Sequence, residues 1–154
     1  MSIVKALPSD CELVRMITHT TIAEVYPRYY PRGAVDFFTA HHSPERIESD
    51  IGKGLVYLCR DGQENAVGTV TVKENEILRL FVLPPFRGKG FGRELLDFAE
   101  RLVAKEHDEI AIDASFAAKA IYLKRGYRET EYHAIETPNG DFLCYDVMKK
   151  QTRR

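Results

Sequence analysis

The chain has only three cysteines and no long apolar run, and each of these two shortages excludes a class of protein. Its three cysteines lie far apart and form no CxxC spacing, so neither a disulfide framework nor a zinc site is predicted. No apolar run approaches the ~20 residues that span a bilayer, and the first residues lack a signal-peptide pattern. We therefore expect a cytoplasmic protein without a membrane segment and without a metal.

The remaining composition is that of an ordinary globular protein. Its 154 residues predict one domain, residues 1–154. A chain of this size buries roughly two-thirds of its unfolded surface. The formal net charge of -1 predicts no nucleic-acid partner, because such proteins usually carry a basic excess. His19, His41 and His42 do not have the spacing of metal ligands.

Alternating and helical patterns of apolar residues predict an α/β chain with a mixed sheet. Strands are predicted at 3–6, 55–60, 66–73, 76–83, 109–114, 127–137 and 141–149. Helical segments are predicted at 8–22, 34–40, 44–51, 90–106 and from Ser115, as the capping residue, to Arg125. The short links Glu74-Asn75 and Pro138-Asn139-Gly140 predict two antiparallel hairpins.

The most informative stretch runs from Leu78 to Arg93. There an apolar strand passes through Pro84 and Pro85 into a glycine-rich basic turn, which opens directly into an amphipathic helix. Glycine lets the backbone approach a ligand closely, and the free N–H groups at a helix N-terminus attract anions. The stretch therefore predicts a phosphate-binding site.

The spacing of the glycines distinguishes three kinds of phosphate-binding loop. A Walker P-loop requires Lys-Ser or Lys-Thr after its glycines, and neither pair follows here. A dinucleotide-binding loop would begin at Gly88 and Gly90, but Arg93 stands in place of its third glycine. The pattern that fits is Arg-x-x-Gly-x-Gly, formed by Arg87 to Gly92 after a Val-x-Pro strand end.

This pattern resembles the coenzyme A-binding motif of the GNAT superfamily of N-acetyltransferases. A second segment, Ile121-Tyr122-Leu123-Lys124-Arg125-Gly126-Tyr127, is similar to the family's other motif. The resemblance covers nearly the whole chain, strongly from Glu76 to Tyr127 and weakly before Leu55. It implies a GNAT fold, a mixed sheet of about seven strands that splays between the fourth and fifth strands, with four to five flanking helices.

The resemblance also implies acetyl-CoA as co-substrate and no metal. In the family, the amides of the glycine-rich loop hold the pyrophosphate of the cofactor. The backbone of the central strand, at a bulge, binds the pantetheine arm and the thioester carbonyl. The residues implied at this site are Leu80, Phe81, Val82, Arg87, Gly88, Lys89, Gly90, Phe91, Gly92, Arg93, Ser115 and Tyr122.

Two residues are implied as catalytic. Tyr122 is expected to protonate the departing thiolate, because a phenol with a pKa near ~10 is protonated at neutral pH. Glu76 begins the central strand, where some family members have a general base that acts directly or through water. Other members have no dedicated base. Ser115 has two compatible roles, as a helix cap and as a contact of the cofactor.

The resemblance implies transfer of an acetyl group, or of a larger acyl group, to a primary amine. We expect a small-molecule acceptor rather than a protein, and a monomer or homodimer. In the family the acceptor is usually bound by the N-terminal helices and the last hairpin, whose rings here are Tyr26, Tyr29, Tyr30, Phe37, Phe38, Tyr132, His133 and Tyr145. These rings could line an amine pocket, although core packing is the favoured interpretation for most of them. Acidic residues near the site would indicate a polyamine or aminoglycoside acceptor, and the candidates are Glu24, Asp36, Glu131 and Glu136. Two alternatives stay open: a non-catalytic coenzyme A-binding module of the same fold, and a nucleotide-phosphate protein.

Overall fold

A computed structural model describes residues 1–152, in which five α-helices flank a seven-stranded sheet. The strands are β1 (Ser2–Lys5), β2 (Val56–Arg60), β3 (Ala66–Lys73), β4 (Glu76–Val82), β5 (Glu109–Ala114), β6 (Arg128–Glu136) and β7 (Phe142–Gln151). The helices are α1 (Cys11–Val25), α2 (Arg32–His41), α3 (Pro44–Gly52), α4 (Phe91–Ala104) and α5 (Lys119–Lys124). Within this part of the chain no helix is long and apolar enough to cross a bilayer.

Across residues 1–152 the sheet has the order β1-β2-β3-β4-β5-β7-β6, with β4 and β5 as its one parallel pair. These two strands pair only at Glu76 with Ala111 and at Ile77 with Ile112. Beyond those residues they diverge and leave a gap in the middle of the sheet. The predicted mixed sheet and its splay between the fourth and fifth strands are confirmed.

A β-bulge lies where β4 leaves β5. Thr69 pairs with Phe81 and Thr71 pairs with Leu78, so β4 has one residue more than β3 between these pairs. Arg79, in this bulge, has a left-handed backbone with φ of 53°. This conformation is uncommon for a residue other than glycine.

Helices cover both faces of the sheet and bury two separate hydrophobic cores. One core lies under α4 and α5 and includes Ile77, Leu95, Ile112 and Tyr122. The other lies under α1 to α3 and includes Ile17, Ile47, Leu58, Phe81 and Leu143. Because side chains alternate along a strand, Ile112 points to the first core and its neighbour Asp113 points to the opposite face.

The segment before α5 differs from the prediction. Ser115 does not cap the helix, because α5 begins at Lys119 with Ala118 at its N-cap. Residues 115–118 form a turn instead, in which the Ser115 carbonyl accepts hydrogen bonds from the amides of Ala118 and Lys119. The Tyr30 hydroxyl accepts a hydrogen bond of 2.8 Å from the Phe116 amide. This tertiary contact from the N-terminal half holds the turn and delays the helix.

The other local predictions are confirmed. Ser43 caps α3 by accepting a hydrogen bond from the Arg46 amide. The β3–β4 and β6–β7 hairpins form at the predicted links, and Gly140 in the second link has φ of 86°. Gly126 follows α5 with φ of 94°, which is the usual position of a helix-ending glycine.

Gly68 on β3 sets how closely α4 packs on the sheet. A methyl group at Gly68 would lie 2.8 Å from Cδ1 of Leu95 and 3.1 Å from the carbonyl oxygen of Phe81. We expect Gly68→Ala to lower the free energy of unfolding by about 1–3 kcal/mol, because α4 must shift. Urea denaturation measures the change. Gly62→Ala is the matched control, because nothing lies within 4 Å of its added methyl; equal losses in both variants would contradict the expectation.

Candidate functional site

The glycine-rich loop presents free backbone N–H groups at the start of α4. Gly88 and Gly90 have φ of 76° and 91°, and Gly90 is the N-cap of the helix. Within residues 1–152, the amides from Gly88 to Arg93 donate no hydrogen bond. Such amides and the positive end of the helix dipole favour an anionic group. The exposed side chains of Arg87 and Arg93 add full positive charges beside them.

The edge of β4 that faces the gap offers further backbone groups. The Leu83 amide donates to the carbonyl of Val67 on β3, at 2.9 Å. Because N–H groups alternate between the two edges of a strand, those of Leu80 and Val82 point into the gap. The splay therefore leaves β4 with donors and acceptors that an extended ligand can pair with.

A cavity of about 540 Å³ follows from the loop to the gap, and we call it the large cavity. Its walls come from β4, the glycine-rich loop, the end of α1, the 115–118 turn and α5. Predicted residues that line it are Leu80, Phe81, Val82, Arg87, Gly88, Gly90, Gly92, Arg93, Ser115 and Tyr122. The cavity is also lined by residues that the sequence did not indicate for this site, namely Thr21, Val25, Leu96, Ala117, Ala118, Ile121, Lys124 and Arg125. Tyr26 lines it too, although the sequence suggested this residue only for the acceptor.

Two predicted residues of the loop lie outside this cavity. Lys89 is exposed, and its Nζ lies 5.6 Å from the ring centre of Phe86. The ring of Phe91 packs against Phe86 and the core under α4. Loop spacing identified the segment, but whether each side chain faces the cavity depends on how the loop joins the helix.

Tyr122 is a buried residue that lines the large cavity. The residue is 5% exposed, and within residues 1–152 its hydroxyl makes no hydrogen bond. Burial raises the pKa of Tyr122 well above its ordinary value, and the neighbouring Tyr26 adds to this rise. The phenol is therefore protonated at neutral pH and can donate a proton or a hydrogen bond.

Tyr26 and Ser115 lie beside Tyr122. Burial raises the pKa of Tyr26 to about 12, and a hydrogen bond with Ser115 partly opposes this rise. Tyr26 is the residue that caps the C-terminus of α1, so the first helix reaches the gap through this ring. The Ser115 side chain thus faces Tyr26 across the site.

A second cavity, of about 250 Å³, lies on the α2 side of the gap, and we call it the aromatic cavity. Its walls are mostly rings and aliphatic side chains, among them Phe37, Phe38, His41, Phe81, Leu143 and Tyr145. It shares Tyr26, Leu80, Phe81, Ser115, Ala118 and Tyr122 with the large cavity. The two cavities therefore meet at Tyr122.

A third cavity, of about 300 Å³, continues from the aromatic cavity, and we call it the polar groove. It is lined by Asn75, Glu76, Leu78, Ala111, Ile112, Asp113, Glu131, Val147 and Lys149. It shares Leu78, Ile112 and Asp113 with the aromatic cavity. The structure therefore places Glu76 in the polar groove and does not bring it together with Tyr122.

Of the acceptor residues predicted from sequence, several gather around these spaces. The aromatic cavity includes Tyr26, Phe37, Phe38 and Tyr145, and the polar groove includes Glu131. Tyr29 and Tyr132 are exposed, and neither they nor Glu24, Asp36 and Glu136 are among the residues that line the three cavities. Asp113 was missed, although a carboxylate at the end of an otherwise apolar strand was the available signal.

The bulge is held by a buried arginine. The Arg79 guanidinium makes an ion pair of 2.9 Å with Asp50 on α3 and a hydrogen bond of 3.1 Å to the Thr71 hydroxyl. Its Nε donates to Nδ1 of His42 at 3.2 Å. Burial, followed by the charge of Arg79, lowers the pKa of His42 to about 3, so this imidazole stays neutral and accepts that hydrogen bond.

Removal of the Asp50 charge would leave the Arg79 charge buried and without its carboxylate. We expect Asp50→Asn to lower the free energy of unfolding by about 3 kcal/mol, because an unpaired buried charge is costly. Asp36→Asn is the control, because the Arg32–Asp36 pair is exposed and is worth less than about 0.5 kcal/mol. Urea denaturation compares the two, and similar losses would show that the Arg79 pair does not hold the bulge.

The same fold occurs in solved structures. A GCN5-related N-acetyltransferase from Rhodopseudomonas palustris superposes with a TM-score of 0.87 at 24% identity, covering 97% of this chain and 94% of that one. The PaiA N-acetyltransferase from Thermoplasma acidophilum, solved with coenzyme A, has a TM-score of 0.75 at 20% identity, covering 97% and 98%. The structure of yncA from Salmonella typhimurium, solved with acetyl-CoA, has a TM-score of 0.74 at 16% identity, covering 100% of this chain and 95% of that one.

The similarity to these structures shows a common fold, and the match of the sequence to a family model shows the family. No curated protein matches the chain. The family model described as an acetyltransferase (GNAT) domain matches residues 25–139. That match covers the glycine-rich loop, the splayed strands and Tyr122. The chain therefore belongs to the GNAT family of acetyltransferases, and it is an acyltransferase.

Proposed function

We propose that the protein transfers the acetyl group of acetyl-CoA directly to a primary amine of a small molecule. The observation that carries this proposal is the position of Tyr122, a buried residue whose hydroxyl has no partner within residues 1–152 and which lies where the large and aromatic cavities meet. One cavity ends in free loop amides suited to a pyrophosphate, and the other has an apolar wall suited to a small amine. Both reactants would reach Tyr122 from opposite sides of the gap.

The residues of the large cavity fit coenzyme A. The amides from Gly88 to Arg93 would hold the pyrophosphate, and Arg87 and Arg93 would add charge beside it. The free edge of β4 would pair with the pantetheine arm as an added strand. The Val82 N–H would donate to the carbonyl oxygen as negative charge develops there.

The acceptor amine would attack the carbonyl carbon as a neutral nucleophile, so that a C–N bond forms and the C–S bond breaks. Tyr122 would give its proton to the departing thiolate and recover one from solvent. The proton that the amine loses would pass to water. Glu76 would act on this proton only through water, because the polar groove joins the aromatic cavity at Leu78, Ile112 and Asp113.

Further expectations concern the protein as a whole. We propose that residues 1–154 act as one domain, as a monomer or homodimer. We also propose that the protein works in the cytoplasm, a reducing compartment that would keep its three cysteines free. Neither nucleic acid nor a membrane is proposed as a partner.

Binding and turnover together test the proposal. We expect coenzyme A to raise the melting temperature, while ATP and NAD do not, because the loop lacks the Walker and dinucleotide patterns. Acetyl-CoA with a panel of small amines should then release free thiol and an acetylated amine in equal amounts. Stabilisation by ATP or NAD, without stabilisation by coenzyme A, would contradict the proposal that the cavity binds coenzyme A. Coenzyme A binding without any transfer would support the non-catalytic module instead.

Tyr122→Phe tests the proposed acid. We expect its kcat to fall by roughly 10²–10⁴, because the thiolate would leave without a positioned proton donor. The affinity for coenzyme A, measured by titration calorimetry, should stay within about threefold, because the ring that packs in the cavity is unchanged. Tyr29→Phe is the control, since that ring is exposed. A kcat near that of the unmodified protein would remove Tyr122 from the mechanism.

A further inference from the structure

The acceptor side of the gap has a negatively charged outer end. Val147 of β7 pairs with Asp113 of β5 on one side and with Glu131 of β6 on the other. Cross-strand partners share a face of the sheet, so both carboxylates point to the face that carries the polar groove. Asp113 lines both the aromatic cavity and the groove, and Glu131 lines the groove.

Aromatic rings lie beside these carboxylates. Tyr145 and His133 are cross-strand partners and stack with ring centres 5.2 Å apart. Tyr145 lines the aromatic cavity next to Asp113. Burial raises the pKa of the Tyr145 hydroxyl, followed by the charges of Asp113 and Glu131, so both carboxylates act on this ring. A ring face beside carboxylates is a favourable surface for an alkylammonium group.

The charges around Asp113 leave the groove negative. Its lining includes three carboxylates, Glu76, Asp113 and Glu131, and the one ammonium among those lining residues belongs to Lys149. That ammonium lies 3.5 Å from a carboxylate oxygen of Glu109. His133 contacts Glu131 at 3.0 Å, and burial lowers the pKa of His41, which keeps that ring neutral at neutral pH.

We infer that the acceptor is an elongated amine with a second positive charge, which Asp113 and Glu131 bind. Its reacting amine lies at Tyr122, its apolar middle lies along Phe38, Phe81 and Leu143, and its second ammonium lies beside Asp113. This inference rests on the proposed function and narrows it to diamines and longer polyamines. Asp113 is thus a specificity-determining residue.

The two ends of this path are independent observations. Tyr122 is a residue more than nine-tenths buried, whose hydroxyl has no partner within residues 1–152 and which lines the aromatic cavity. Asp113 supplies a carboxylate that is exposed at the outer end of the path. Desolvation and then Glu131 raise its pKa, while His133 and His41 oppose the rise. An ammonium beside Asp113 and Glu131 would offset the repulsion between them.

Equilibrium binding tests the inference without turnover. The protein is saturated with coenzyme A and titrated with α,ω-diaminoalkanes of increasing length, and with the ω-amino alcohols of the same lengths. We expect the best diamine to bind at least ~10-fold more tightly than its amino alcohol, because the second ammonium meets the carboxylates of both Asp113 and Glu131. In Asp113→Asn the diamine should bind no more than about threefold more tightly than its amino alcohol, while the affinity for the amino alcohol stays as it is in the unmodified protein.

A second variant guards against misfolding of the first. Glu131→Gln should reduce the same ratio in part, while Glu136→Gln on the opposite face of β6 should leave it unchanged. A ratio near one in the unmodified protein, no diamine binding, or a ratio that Asp113→Asn preserves would each overturn the inference. Selective diamine binding without acetylation of any amine would overturn the proposed function and leave the cation site standing.

Discussion

The divergence of β4 from β5 is the constraint on which the rest of the structure depends. The two strands pair through Glu76–Ala111 and Ile77–Ile112 and then separate, which leaves backbone donors and acceptors in the middle of a sheet without partners. Unpaired backbone groups in a protein interior are costly, so such a gap is normally closed or filled. Here it is kept open by the bulge at Arg79, whose charge is fixed by Asp50, Thr71 and His42. The local strain of a left-handed arginine is thereby offset by an ion pair that joins β4 to α3.

This gap explains why three cavities form one continuous path. The large cavity and the aromatic cavity lie on either side of the gap and meet at Tyr122. The polar groove continues from the aromatic cavity to the part of β4 and β5 where the two strands pair. The loop amides at one end suit an anion, and the carboxylates at the other suit a cation. Tyr122, neutral because its pKa is raised, lies between them. The end with the loop amides would therefore suit the negatively charged donor, and the end with the carboxylates would suit a positively charged acceptor.

Local patterns carried much of the prediction. The hairpin at Pro138-Asn139-Gly140, the cap at Ser43 and the glycine after α5 are each determined by a few neighbouring residues, and the structure has all three. Ser115 was wrong as a helix cap, because a contact from Tyr30, far away in sequence, fixes the turn before α5. Lys89 and Phe91 belong to the predicted loop but are not among the residues that line the large cavity. A motif gives the position of a loop in the chain, whereas the packing of α4 on Gly68 decides which side chains point inward.

The sequence by itself determined the order of the elements, the position of the glycine-rich loop and the family, because capping residues, alternation and glycine spacing are local properties. Only the tertiary structure decided that Tyr122 lies between two cavities, that Glu76 lies in a different one, and that Asp113 and Glu131 flank the same rung. These relations join residues from strands and helices that are distant in the chain. Whether two carboxylates share a site depends on strand order and register, and both are set by the pairing of β5, β7 and β6 rather than by any single segment.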